Sequence, residues 1–191
     1  MRLFVALAIS EEVRRQVALL IGELRERDRA MGWVNSQNLH ITLKFIGEVP
    51  ANRVPVICET LASVATGQSL SLEFNGLGFF PDVRRPSVVW VGITSAAQLA
   101  SLASHIDQAL ATIGVPREEK PFIPHLTIAR IKERRGSPAF AASIEEKSRR
   151  SFGVMSAGEF HLMESKLKSG GAEYTTLRSF PFAGNRNEGP D

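Results

Sequence analysis

The chain has one cysteine, Cys58, so no internal disulfide can form and a cysteine-based zinc site lacks partners. Its longest unbroken apolar run, Leu3 to Ile9, is seven residues. A membrane-crossing helix needs roughly twenty. The run leads straight into Glu11, Glu12, Arg14 and Arg15, which makes a poor signal peptide. A reducing, cytoplasmic setting and no membrane partner are therefore expected. Aromatic residues are only 7% of the chain, with a single tyrosine, which disfavours a module built around stacked bases. There is no glycine-rich phosphate loop, so ATP use is not expected. There is no Gly-x-Ser-x-Gly and no cluster of carboxylates around a histidine, so neither a serine nucleophile nor a metal is anticipated.

What is present is a chain of 191 residues, 43% apolar and 23% charged, with a net charge of +3. That suits one domain, or two fused halves of about 80–100 residues each. Arginine outnumbers lysine, 17 to 6. Guanidinium suits bidentate contact with phosphate. Arg130, Lys132, Arg134, Arg135, Arg149, Arg150, Lys166 and Lys168 would form a phosphate-attracting rim if they shared a face.

Two tetrapeptides match, His40-Ile41-Thr42-Leu43 and His125-Leu126-Thr127-Ile128, displaced by 85 residues (40 to 125). The same displacement lays Leu3–Ser10 on Val88–Ser95. Between strand and histidine each copy carries a helical pattern. The first is Val13, Val17, Leu20, Ile21 and Leu24; the second is Leu99, Leu102, Ala103, Ile106, Ala109, Leu110 and Ile113, with Gly114 as a stop. Further helices are expected over 54–64 and 138–148. A hairpin is expected over 160–182 around Ser169-Gly170-Gly171, and a disordered tail over 183–191. The repeat implies duplication, hence a single α+β domain over 1–182 with two lobes about a pseudo-two-fold cleft. Two mostly antiparallel sheets with outer helices should frame that cleft.

In a strand, residues two apart share a face. His40 and Thr42 are thus expected to face the cleft, with Lys44 next along it and Ile41, Leu43 and Phe45 turned to the core. His125 and Thr127 should do the same in the second copy. Phe4 reads as a core residue. His105 reads as packing or surface, and neither it nor His161 pairs with a second reactive group. Two imidazoles with ordinary pKa near about 6.5 suit a proton-transfer couple, and hydroxyls can hold an anion between them. In-line cleavage of a phosphodiester fits, since base and acid must flank the phosphorus. Which histidine plays which part is open at this level.

The double His-x-Thr, together with Arg2–Leu7, Leu39–Gly47, Pro121–Arg130, Glu164–Leu167, Gly170-Gly171 and Tyr174, resembles the two-histidine phosphoesterases. The branch it resembles is the LigT-like RNA 2′,3′-cyclic phosphodiesterases, also called 2′-5′ RNA ligases. The resemblance implies metal-independent hydrolysis of RNA 2′,3′-cyclic phosphate ends, tRNA fragments among them, by a monomer without cofactor. It implies His40 as acid toward O3′, His125 as base toward water, and Thr42, Thr127 and Arg130 around the phosphate. Strict alternation puts Arg130 on the core face, so the strand must end, bulge near Ala129, or let the arginine reach around an edge. Small cyclic nucleotides, an ADP-ribose cyclic phosphate, or a non-catalytic RNA-end-binding groove are the competing readings.

Overall fold

Ser10 ends the first strand and starts a helix, its hydroxyl accepting a hydrogen bond from the Val13 N–H at 3.3 Å. Glu11 and Glu12 lie in the first turn and Arg25 and Arg27 in the last, which complements the helix dipole. The helix α1 spans Glu11–Arg27 and buries Val13, Val17, Leu20, Ile21 and Leu24, the five apolar positions the spacing marks. A second long helix, α3 (Ala97–Ala111), buries Leu99, Leu102, Ala103, Ile106 and Leu110, and Gly114 follows it with a φ of 87°. The helices α2 (Val54–Val64) and α4 (Pro138–Glu146) are the other α-helices among the described residues. The computed structural model describes residues 1–29, 31–64, 68–94, 97–131, 138–169 and 171–182. Ser95, Lys132, Arg134, Arg135, Gly170 and the tail 183–191 lie outside the described residues.

The strands are β1 (Arg2–Ala8), β2 (Gly32–Trp33), β3 (His40–Glu48), β4 (Leu70–Phe80), β5 (Val88–Thr94), β6 (His125–Arg130), β7 (Ser151–Ala157), β8 (Glu159–Lys168) and β9 (Gly171–Pro181). They form a four-stranded sheet, β3-β1-β8-β9, and a five-stranded sheet, β2-β6-β5-β4-β7. Every pairing is antiparallel. The expected C-terminal hairpin is β8–β9, paired from Glu159↔Pro181 to Lys168↔Gly171.

The sheets are not the two repeats taken separately. β4 comes from the first repeat but pairs with β5 of the second, and β8 comes from the second but pairs with β1 of the first. The helices exchange too: α1 packs against β7 in the five-stranded sheet, and α3 packs against β3 in the four-stranded one. Each half therefore covers the other's sheet, and one apolar cluster runs from Leu3 to Phe182. The pairing also refines the repeat. Ala8 lies opposite His40 and Gly92 opposite His125, so the upstream strands correspond at 84 residues (8 to 92), one less than the histidines.

Candidate active site

His40 and His125 open β3 and β6, the two strands that meet across the cleft between the sheets. Both side chains line one cavity of about 710 Å³, together with Thr42, Thr127 and Arg130. The structure thus brings together all five residues singled out from the sequence. Each imidazole is held in the same way. The Nδ1–H of His40 donates to the Asn38 carbonyl at 2.7 Å, and that of His125 donates to the Ile123 carbonyl at 2.7 Å. A carbonyl only accepts, so the proton of the neutral ring sits on Nδ1 and Nε2 is left free. The Asn38 side chain donates to the Ala172 carbonyl at 2.7 Å, tying the His40 anchor to β9.

Aromatic rings fix the imidazoles from the side. Phe4 to His40 is 5.0 Å between centroids, Tyr174 to His40 is 5.0 Å, and Phe4 to Tyr174 is 5.2 Å. Phe80 meets His125 edge-on at 4.9 Å. Phe4 is buried, as read from the sequence, yet it also walls the cavity beside His40. The strand opposite His125 must be glycine at 92, because a Cβ there would lie 2.6 Å from the Asn75 carbonyl oxygen.

The two strands that carry the histidines share matching irregularities. The pairing of β1 with β3 passes from Ala6↔Thr42 to Val5↔Lys44 and leaves Leu43 without a partner. The pairing of β5 with β6 passes from Trp90↔Thr127 to Val89↔Ala129 and leaves Ile128 without one. Leu43 and Ile128 correspond in the repeat, so the bulge is duplicated. Each bulge puts two consecutive residues on the core side and reverses the facing of the residues that follow, to the end of β6 and, in β3, as far as a second shift at Ile46. Arg130 is thereby brought to the cleft face, by a bulge rather than around an edge. The same reversal corrects the expectation for Lys44 and Phe45. Lys44 is turned inward, 2% exposed, and Phe45 faces the cavity, 54% exposed.

Lys44 is satisfied inside by the Asp107 carboxylate at 2.7 Å and the Pro116 carbonyl at 2.7 Å. Arg117 and the Glu118 N–H, each at 3.0 Å, complete the shell of Asp107. Burial alone would raise the Asp107 carboxyl, but Lys44, the Glu118 N–H and Arg117 together hold it below the usual range.

Much of the expected basic rim is engaged elsewhere. Arg150 pairs with Glu23 at 2.9 Å, Lys166 pairs with Glu164 at 3.1 Å, and Lys168 pairs with Glu173. His105 is exposed on α3, and the Nδ1 of His161 bonds the Ser179 hydroxyl at 2.9 Å. Sequence periodicity misses Phe45 and does not single out Arg2 or Tyr174 as cavity residues. The signal that could have found Phe45 is its correspondence with Arg130, 85 positions on (45 to 130).

Both imidazoles titrate below the ordinary histidine value. For His40 the causes are burial first, then the charges of Arg130 and His125, against the Asn38 hydrogen bond. For His125 burial again leads, with Arg130 adding to it, against the Ile123 hydrogen bond. Two imidazoles, each with an Nε2 that makes no hydrogen bond among the described residues, two hydroxyls and the Arg130 guanidinium make a site for an anion that exchanges protons. No carboxylate lines the cavity among the described residues, and no group of three or more His, Cys, Asp or Glu among them could hold a metal ion. Likewise, no helix among them is long and apolar enough to cross a membrane.

Like-anchored imidazoles from duplicated strands, facing one cavity between two antiparallel sheets, define an α+β protein of the two-histidine type. The chain belongs to the LigT-like phosphoesterase family, whose model matches it twice, over residues 7–90 and 91–174. The chain is similar to an RNA 2′,3′-cyclic phosphodiesterase of Archaeoglobus fulgidus, 37% identical over 180 residues and covering 94% of this chain and 99% of that protein. A crystal structure from Thermus thermophilus superposes with a TM-score of 0.83 at 28% identity, covering 97% of this chain and 100% of that one. Escherichia coli LigT complexed with 3′-AMP superposes with a TM-score of 0.75 at 27% identity, covering 95% and 98%.

Proposed function

We propose that this protein hydrolyses RNA 2′,3′-cyclic phosphate ends to 2′-phosphate ends, by an acid/base couple of His40 and His125. The observation that carries the reading is the pair of Nδ1-anchored imidazoles in one cavity lined by no described carboxylate. His125 Nε2 takes a proton from water as its oxygen attacks phosphorus. The bond from phosphorus to O3′ breaks, and O3′ receives a proton from His40 Nε2. Thr42, Thr127 and Arg130 hold the non-bridging oxygens, whose charge rises in the transition state. No bond is formed to the protein and no nucleotide cofactor enters the balance. With a 5′-hydroxyl in place of water the same steps give 2′-5′ ligation: the 5′-oxygen loses its proton to His125 and bonds to phosphorus, and O3′ leaves with a proton from His40; the reverse of that step cleaves a 2′-5′ linkage back to the cyclic phosphate. The named relatives support the substrate class, since proteins called RNA 2′,3′-cyclic phosphodiesterases match nearly the whole chain. A buried free cysteine supports a reducing, cytoplasmic setting.

The test is an RNA oligonucleotide with a 2′,3′-cyclic phosphate end, incubated with the protein in EDTA. The expected product is a 2′-phosphate, formed at the rate seen without chelator. Cleavage confined to mononucleotides would favour a small cyclic nucleotide as substrate. Salt-sensitive binding without turnover would favour an RNA-end-binding groove.

The pH dependence supplies a second expected outcome. One ring must be neutral while the other is protonated, so kcat/KM follows a bell. Both rings lie below the ordinary value of about 6.5, so the bell of the free enzyme is displaced to the acid side. Arg130 lowers both rings; Arg130→Gln is therefore expected to move the bell to higher pH as well as lower its maximum. Arg130→Lys keeps the charge and should keep the position. A bell that stays in place for Arg130→Gln would remove the guanidinium from the reacting site.

A further inference from the structure

The cavity extends well beyond the histidines. Ala8 of β1 lies opposite His40, and Arg2 lies at the other end of the same strand, opposite Ser165 of β8. Six residue steps along the strand separate them, about 20 Å at roughly 3.4 Å per step. A stacked nucleotide rises only about 3.4 Å along a strand. Arg2 and Ser165 line the same cavity as His40 and His125. The Arg2 side chain is exposed and no ion pair or hydrogen bond engages it among the described residues. Its cross-strand neighbour Glu48 lies instead 3.8 Å from the amino group of Met1.

Between the two ends stand aromatic rings. Phe4 lies 6.3 Å from Phe45 and 5.2 Å from Tyr174, and Phe45 is 54% exposed. The cavity therefore reads, in order, as an anion site, an aromatic wall and a free guanidinium. A mononucleoside cyclic phosphate has one phosphate, which the histidine end takes. Only a longer chain carries a second phosphodiester to reach the far end.

We propose that Arg2 holds a phosphodiester of the RNA chain upstream of the cyclic end, and so makes the protein prefer oligonucleotides to mononucleoside 2′,3′-cyclic phosphates. This rests on the phosphodiesterase reading. A charge-assisted hydrogen bond to phosphate is the interaction at stake, and losing it corresponds to about a tenfold change in binding.

The experiment measures kcat/KM of wild type, Arg2→Gln and Arg2→Lys on two substrates: a mononucleoside 2′,3′-cyclic phosphate and a single-stranded RNA of about ten nucleotides with the same cyclic end, long enough at about 3.4 Å per stacked nucleotide to reach Arg2. Thermal unfolding of each variant reports folding. The expected result for Arg2→Gln is a fall of about tenfold in the ratio of oligonucleotide to mononucleotide kcat/KM, carried by KM. The slope of log KM against log salt for the oligonucleotide should shrink by about 0.7, the value of one single-strand phosphate contact. Arg2→Lys should recover part of both. An unchanged ratio, or equal losses on the two substrates, overturns the proposal while leaving the phosphodiesterase intact. If wild type turns over neither substrate, the phosphodiesterase reading falls and this one with it.

Discussion

Replacing His40 or His125 by alanine is expected to slow turnover of a cyclic-phosphate RNA by about two to four orders of magnitude. The proton transfers exist only in the transition state, so kcat and kcat/KM should fall together while KM moves little. The double variant should be scarcely slower than either single one, because the two rings act as one couple. Each ring also packs against aromatic neighbours, His40 against Phe4 and Tyr174 and His125 against Phe80. Truncation therefore opens a gap beside them. Histidine to asparagine fills more of that gap and cannot exchange the proton, so it separates chemistry from packing. Asparagine variants at both positions that turn over at the wild-type rate would end the acid/base reading.

Asp107→Leu is expected to cost about 3 kcal/mol of stability, the lower end of the usual penalty for removing one partner of a buried pair, since Glu118 still offers Lys44 a partial partner. For a chain of this size that is a fall in Tm on the order of 10 °C. Lys44 is 2% exposed and Asp107 is its nearest carboxylate at 2.7 Å; what remains is the Pro116 carbonyl, which carries no full charge, and the half-exposed Glu118 carboxylate at 3.5 Å, whose attraction solvent screens. Lys44→Met should cost less, since Asp107 keeps Arg117 and the Glu118 N–H. The double change Lys44→Met with Asp107→Leu should recover most of the loss, because an apolar pair needs no compensation. Denaturant unfolding of the four proteins closes this cycle, and strictly additive losses would contradict a buried pair. The pH dependence has a definite sign. The Asp107 carboxyl is lowered in the folded state, so its contribution is present above the unfolded value of about 3.8 and is lost as pH falls through the folded one. The pair also joins β3, which carries His40 and Thr42, to α3. Damage to it should thus lower activity in proportion to the population unfolded.

Local periodicity was enough to find the helices and most strands. The five apolar positions of α1 are those the 3.6-residue period selects, and α2 spans the expected 54–64. The repeated His-x-Thr was legible because strand alternation puts i and i+2 together whatever the partner strand is, and a duplicated strand brings the second pair into the same cleft. His40, Thr42, His125 and Thr127 follow from that alone.

What alternation could not decide begins one residue later. Leu43 and Ile128 lose their partners to bulges, and a bulge belongs to the pairing of two strands rather than to one of them. Only the tertiary structure therefore turns Lys44 inward to an aspartate 63 positions away and brings Phe45 and Arg130 out to the cavity. The exchange of β4 and β8 between repeats is of the same kind, since an unpaired sheet edge is satisfied by whichever strand the closed fold brings to it. Side-chain period is written along the chain. Register and partnership are written between chain segments far apart in sequence, where only folding lets the two be compared.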